Sequence, residues 1–408
     1  MTQRTPARTG GRRSLAVAAA AVVGVLGLSA CAPDSGSASS GEDGEAAAVP
    51  VSIIYSQSGP LAAYGEAYRN GLEAGIDYAT DGSGEVDGRE IELDFADDAG
   101  DPAKAVGLAK DAIGSGTQII AGTVSSGVAL SLAEQAEQNE VLYISGPAAA
   151  DAVTGINRYT FRSGRQTYQD VATAGSLIGD LESKKVAVFA QDNAFGQGNV
   201  AGVEAVLGGA GAEVEPVLVP EDATEFTPFA RRILDAEPDL VFVAWAGDTT
   251  SAMWQSLDQQ QVFDEVPVTT GLGDIASYGA YGAASEQITF LSHYFAGAPD
   301  NEVNAAMVES LEEAGAEADL FSPDGFVAGQ MIVHAIEEGG GDDVDAMIEA
   351  LEGWEFEGPK GTTTVRAEDH ALIQPMFAAT LSEQGGSFVP ELADQVEPDV
   401  VAPPVATS

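Results

Sequence analysis

Basic residues, cysteine and histidine are all scarce in this chain. Its 408 residues hold one cysteine, three histidines and 17 lysines and arginines, against 64 aspartates and glutamates. Each shortage excludes something. The single cysteine, Cys31, rules out an intramolecular disulfide, a cysteine-based zinc site and an iron–sulfur cluster. His293, His334 and His370 are scattered, form no i,i+4 pair, and read as ordinary surface or packing residues. A net charge of −47 argues against nucleic acid, because neutralising phosphates takes clustered Lys and Arg. There is no G-x-S-x-G, no G-x-x-x-x-G-K-[ST], no H-E-x-x-H and no G-x-G-x-x-G after a strand. The chain therefore reads as no enzyme, with no metal and no cofactor. Beyond the N-terminus no apolar run is long enough to span a bilayer.

What is present suits a two-domain globular body. The length allows two domains of ordinary size, and 45% hydrophobic residues can build real cores. The many carboxylates read as solvated faces, and such a surface favours a monomer.

The N-terminus reads as an address. Residues 1–13 hold four arginines and no acid, and residues 15–28, "LAVAAAAVVGVLGL", are apolar throughout. Fourteen residues make about 21 Å of helix, short of a bilayer core of about 30 Å. The order basic, apolar, small-residue site is that of an export signal. The pair Arg12-Arg13 leaves twin-arginine export open beside the general route. Removing residues 1–30 takes away four of the 17 basic residues and no acid, leaving 13 against 64, a net charge of −51. Residues 32–48 then form a polar leash rich in Gly, Ser and Ala.

From residue 51 strand and helix patterns alternate. "VSIIYS", "EIELDFA", "QIIAG" and "VLYIS" read as strands, followed by "KVAVFA", "EVEPVLV", "DLVFVAW" and "ITFLSHY". Amphipathic stretches such as 61–79, 101–116 and 248–259 lie between them. That rhythm means α/β architecture with parallel sheets covered on both faces, and its length favours two lobes. Helices are expected at 301–314, 322–339 and 342–352, short strands near 361–366 and 371–381, and an unstructured end over 397–408. Ligands of open parallel sheets sit beyond the carboxyl ends of the strands. "TVSSG" (123–127) falls at such an end, where a helix start offers free N–H groups to an anion.

Six segments in order carry a resemblance: "SQSGPLAAYG" (56–65), "DDAGDP" (97–102), "GTVSSG" (122–127), "YISGPAA" (143–149), "QDNAFGQG" (191–198) and "FEGPKGTTTV" (356–365). Over residues 50–390 the chain resembles the type I solute-binding proteins of ABC importers, the leucine/isoleucine/valine-binding branch. "LSAC" (28–31) resembles the lipobox of bacterial lipoproteins, in which Cys31 would be lipidated. The resemblance implies two Rossmann-like lobes joined by three crossovers, closing on a ligand in the cleft. Lobe 1 would be residues 50–165 plus 296–358 and lobe 2 residues 166–295 plus 359–390. Residues 1–30 would be the signal peptide, 31–49 the tether and 391–408 a disordered tail. The implied partners are a small ligand such as a branched-chain amino acid, an ABC permease, and the outer face of the cytoplasmic membrane through the lipid anchor. Amides, urea, aromatic carboxylates and a sensory-receptor role remain alternatives.

By position, the resemblance assigns Ser126, beside Ser125, to the ligand's α-carboxylate. Some relatives pair half-cystines at the positions of Ser125 and Gly100, and neither is cysteine here. Ala148 and Ala150 fall in a turn whose carbonyl and threonine hydroxyl contact ligand in the family. Tyr64, Phe195 and Trp245 would line the pocket. The ammonium-binding glutamate of the family aligns with Leu272, and Asp274 stands two residues on. Read from the residues alone, the serines could equally cap a helix, the aromatics could be core, and Asp274 could cap a turn.

Overall fold

The computed structural model describes residues 47–406. The export signal, Cys31 and residues 31–46 of the tether lie outside the described residues.

Two sheets organise the chain. The first has the order β2-β3-β1-β4-β5-β6. Its strands are β1 (Val49–Tyr55), β2 (Glu85–Val86), β3 (Arg89–Asp97), β4 (Ile119–Gly122), β5 (Leu142–Ser145) and β6 (Thr160–Arg162). All neighbours run parallel except the β2–β3 pair. The second contains β7 (Lys185–Gln191), β8 (Glu213–Val219), β9 (Leu240–Ala244), β10 (Val268–Gly271) and β11 (Ile288–Ser292), all parallel. Central strands such as β4 and β9 are buried along their whole length, which is why they read as continuous apolar runs. A small antiparallel sheet joins β12 (Glu355–Gly358), β13 (Gly361–Val365) and β14 (Leu372–Ile373). The chain closes with β15 (Met376–Gln384) and β16 (Ser387–Val396), which extend the second sheet as antiparallel strands beyond β11.

Helices cover each sheet. One core packs the first sheet against the helices Ala62–Ala79, Ser322–Gly339 and Val344–Leu351. Its other face meets Pro102–Gly114 and Ser126–Asn139. The 102–114 helix starts where the sequence suggests, with Pro102 in its first turn and the Asp101 carboxylate accepting from the Ala103 N–H at 2.8 Å. The second sheet has its own two cores, with helices 227–235 and 250–259 on one face and 167–177 and 194–203 on the other.

The chain passes between the lobes at 163–166, 293–301 and 374–375. The third passage comes later than the resemblance implies, so residues 359–373 do not join the second lobe. β13 and β14 pair with β12, and Val365 and Leu372 are drawn into the first lobe's core. The tether and tail also need correction. Val49 already belongs to β1, so the leash stops short of residue 49. Residues 391–408 are not a disordered tail over their described part, since β16 runs to Val396 and Pro398–Val401 is helical. Val401 is buried with Met376 and Val396. Arg366 grips the Asp369 carboxylate through two bonds of 2.7 Å and donates to the Pro403 carbonyl at 2.6 Å, while Asp369 accepts from the Ala406 N–H at 2.8 Å.

Helices 62–79 and 322–339 touch backbone to backbone. A Cβ on Gly71 would lie 2.0 Å from the Ser322 carbonyl oxygen, and one on Gly325 would lie 1.9 Å from that of Tyr68. Neither site can take a methyl group unless the helices move apart. Gly71→Ala is expected to cost about 1–3 kcal/mol through overpacking, read as a lower urea midpoint with an unchanged slope.

Candidate functional site: a cleft at the strand ends

A cavity of about 820 Å³ lies between the two lobes, at the carboxyl ends of both parallel sheets. Its first-lobe wall is built by interlocking loops. The Asp98 carboxylate, fully buried, accepts from Ser56 Oγ at 2.8 Å, from Thr123 Oγ1 and from the Gly100 N–H at 2.6 Å. Asp97 accepts from the N–H groups of Gln57 and Ser58 and from Ser58 Oγ at 2.7 Å. Desolvation pulls the Asp97 pKa upward, but these bonds and Lys104 outweigh it and hold the carboxyl well below its ordinary range. "DDAGDP" therefore works as a staple for the ends of β1, β3 and β4. Among the described residues no group of acids, His or Cys is arranged to hold a metal ion.

The staple presents the start of the 126–139 helix to the cavity. Ser125, Ser126 and Gly127 all line it. The Ser125 side chain makes no capping bond, so it leaves the first-turn N–H groups free for a ligand. Ser126 is 4% exposed, and its Oγ accepts from the Ala150 N–H at 3.3 Å, leaving its own hydrogen to donate. The positive end of a 14-residue helix with its first-turn N–H groups uncapped is chemically able to hold an anion.

Aromatic rings form the remaining walls. Tyr64, Phe195 and Trp245 line the cavity, with Phe321 and His293 beside them. Tyr64 meets Phe321 edge-on, centroids 5.1 Å apart. Burial, and next the Asp274 carboxylate, push the Tyr64 phenol far above its ordinary value, so it stays a neutral hydroxyl. Trp245 packs between Phe189 and Phe226, and its indole N–H is met by Thr249 Oγ1 at 3.0 Å.

Four sequence candidates do not reach the cleft. Ala148 and Ala150 are buried behind it, while Pro147 and Ala149 line it instead. The carbonyls of 147–150 are already engaged. Arg162 donates to Ala148 and Ala150, Arg165 to Pro147 at 2.7 Å, and the Thr167 N–H to Ala149 at 2.8 Å. Leu272, 2% exposed, is drawn into the second lobe's core. Asp274 starts the short turn Ile275–Ser277 and is no part of the wall, which is formed there by Thr270, Gly271 and Gly273.

Arg165, Asp170 and His293 line the cleft without having been foreseen as ligand contacts. Arg165 Nε lies 3.2 Å from Asp170, both nearly buried. Burial raises the Asp170 carboxyl against the pull of Arg165, and lowers Arg162 to about 10, where it is still a cation at neutral pH. Behind them Lys360 and Asp324 are buried too. Desolvation pushes the lysine down and the aspartate up, each resisted by the other's charge. His293 follows β11 directly, so the rule that ligands gather at strand carboxyl ends was the signal that could have marked it.

The residues matched by the periplasmic binding protein family model are 48–386. The chain is similar to Leu/Ile/Val-binding protein homolog 3 of Brucella melitensis, 26% identical over 337 residues that cover 81% of this chain and 90% of the relative. It is also similar to a crystal structure of an ABC-type branched-chain amino acid transporter from Rhodopseudomonas palustris, at 31% identity and a TM-score of 0.73, covering 88% of this chain and 99% of that one. A solute-binding protein of an ABC transporter from R. palustris, in complex with benzoate, is similar at 25% identity and a TM-score of 0.72, over 86% of this chain and 98% of that one.

The Asp319 carboxylate accepts from the Ile275 N–H at 3.1 Å, across the cleft from first lobe to second. Burial raises Asp319 to about 6, with Asp274 and Glu317 adding to the shift. The unfolded chain sheds this proton near 3.8 and the folded chain near 6. Through this group stability falls as pH rises across that window and levels off above it. Urea midpoints between pH 4 and 6.5 should therefore fall more steeply in the native chain than in Asp319→Asn.

Two lobes with parallel sheets, a hinge between them and a cleft at the strand ends, together with the matches above, place this chain in the periplasmic binding protein family, as a type I ABC-type solute-binding protein of the Leu/Ile/Val-binding branch, a family of transport proteins and not of enzymes.

Proposed function

We propose that this chain is an exported receptor of an ABC importer that closes its two lobes on a small carboxylate and hands it, unchanged, to a permease. The observation that carries the reading is the open first turn of the 126–139 helix, with Ser126, facing an aromatic-walled cleft. Closure by differential binding follows from the wall's composition, since a ligand seated on Ser126 would also touch Phe195 and Trp245 of the other lobe. The N-terminal pattern ending in "LSAC" supports attachment to the outer face of the cytoplasmic membrane through Cys31. On that reading Cys31→Ser moves the protein from the membrane fraction to the medium, which fractionation of expressing cells would show.

The ligand class has two branches. Relatives named for Leu, Ile and Val, and an Asp170 Oδ1 that lines the cleft side of the hinge without a hydrogen-bond partner, favour a branched-chain α-amino acid. The benzoate-bound neighbour and the aromatic walls favour an acid without an ammonium.

A thermal-shift screen of the purified protein, stripped of carried-over ligand, separates the branches. The panel holds amino acids, their 2-oxo acids, benzoates and the matching uncharged amides. A ligand at a hundred times its Kd adds about 2.7 kcal/mol, a visible shift. Carboxylates should shift the protein where amides do not, and Ser126→Ala should weaken the binding about tenfold or more, as expected for a lost bond to a charged group. Equal shifts from carboxylates and their amides would remove the anion seat from the account.

A further inference from the structure

We infer that residues 398–406 form a stiff tie across the hinge, a fourth link between the lobes beside the three chain passages, which holds the ligand-free lobes in contact. The inference goes beyond the carboxylate reading and takes from it only that the two lobes move about a hinge.

The tie has one foot on each lobe. Its first foot is the helical turn Pro398–Val401, packed on the 167–177 helix of the second lobe. Val401 is fully buried there with Met376 and Val396, against Ala172. The second foot is on the first lobe. Arg366 donates to the carbonyls of Pro403 at 2.6 Å and Pro404 at 3.4 Å, and the Ala406 N–H donates to the Asp369 carboxylate at 2.8 Å. A Cβ on Gly155 would lie 2.7 Å from that of Ala406, so the tie lies flat on the Gly155 backbone. The landing is itself anchored. The Gly155 N–H donates to the Asp369 carbonyl at 2.9 Å. The next residue, His370, stacks on Phe161 with centroids 3.8 Å apart, and its Nδ1 lies 3.0 Å from the Thr160 carbonyl oxygen.

Little slack lies between the feet. Only Ala402 separates Val401 from Pro403. Pro403 and Pro404 have fixed φ, and each also restricts the residue before it, so Ala402 and Pro403 are both confined to extended backbone. Consecutive prolines make a semi-rigid spacer rather than a cord. Such a spacer resists any change in the distance between its feet, whichever way the lobes turn. The arrangement it preserves is one in which the lobes touch. Asp319 of the first lobe meets the Ile275 N–H of the second at 3.1 Å, and a Cβ on Gly247 would lie 3.0 Å from the Pro60 carbonyl oxygen across the cleft. Breaking the tie means exposing Val401 or taking the Pro403 carbonyl from a guanidinium, a charge-assisted bond. The tie lies outside residues 48–386, the part that the family model matches, so the shared fold does not by itself require it.

Double electron–electron resonance on the ligand-free protein tests this. Cys31→Ser removes the native thiol, and Ala63→Cys with Ser251→Cys places spin labels on exposed helix positions of opposite lobes, a few residues from Pro60 and Gly247. This parent is compared with a chain carrying Gly-Ser-Gly-Ser between Ala402 and Pro403, which keeps both feet and adds slack, and with a chain ending at Val401. The parent should give one short distance. Both variants should add a longer one, the ratio of touching to separated lobes falling about tenfold, because the grip of Arg366 no longer favours one state. The same distribution in all three chains overturns the tie. So does lengthening confined to the chain ending at Val401, which makes residues 402–406 a support for the fold and not a spacer. The native chain gives its own reading if a variant fails to fold. Its Ala406 N–H should exchange with deuterium about a hundredfold or more slowly than an unstructured amide, and free exchange overturns the tie. No ligand enters either measurement, so a cleft that binds no carboxylate sinks the reading above and leaves this result intact.

Discussion

Everything on the first-lobe side of the cleft depends on one buried carboxylate. Asp98 takes hydrogens from the loop after β1, from the residue after β4 and from its own turn. Three strand ends that would otherwise be independent loops become one rigid ledge. The ledge holds the start of the 126–139 helix with its N–H groups uncapped, a state a free helix would relieve by folding a side chain over its own end. Donors held in place this way need no reorganisation to meet an acceptor, which is the property the proposed carboxylate site draws on.

The hinge side is organised by arginine. Arg162, fully enclosed, donates to the carbonyls of Ala148, Ala150 and Arg165, and Arg165 donates to Pro147. Planar guanidinium groups suit this work, since each presents several donors in a fixed fork. The same residues that fasten the 147–150 turn to the first passage between lobes also set the charge at the floor of the cleft. Support and electrostatics are therefore one system, which explains why the turn's carbonyls are not available to a ligand.

The alternation of apolar strands and amphipathic helices was legible because parallel sheets bury both faces, so β1, β4, β7 and β9 stand out as unbroken apolar runs. The open helix start at Ser126 was legible for a related reason, since it follows such a run through small polar residues. What stayed hidden depends on partners distant in sequence. Residues 397–406 look like a loose Pro-rich end, and only Arg366 and Asp369, some 35 positions earlier, hold them. Leu272 and Asp274 could not be told apart by alignment, because the direction of a loop side chain is settled by the core beside it. His293 looked like packing, and it does pack, against Phe321. Its unpartnered Nε2 shows only once the cleft is in place.

The order in which the chain is made bears on its journey. The 62–79 helix fits its glycines against the 322–339 helix, which is synthesised some 250 residues later. The second sheet likewise lacks β15 and β16 until almost the last residue has emerged. Neither lobe can complete its core early, and contacts this distant in sequence form slowly. A polypeptide whose two lobes both wait for its final strands acquires its stability as a whole, so the last residues made decide when either lobe can hold a ligand.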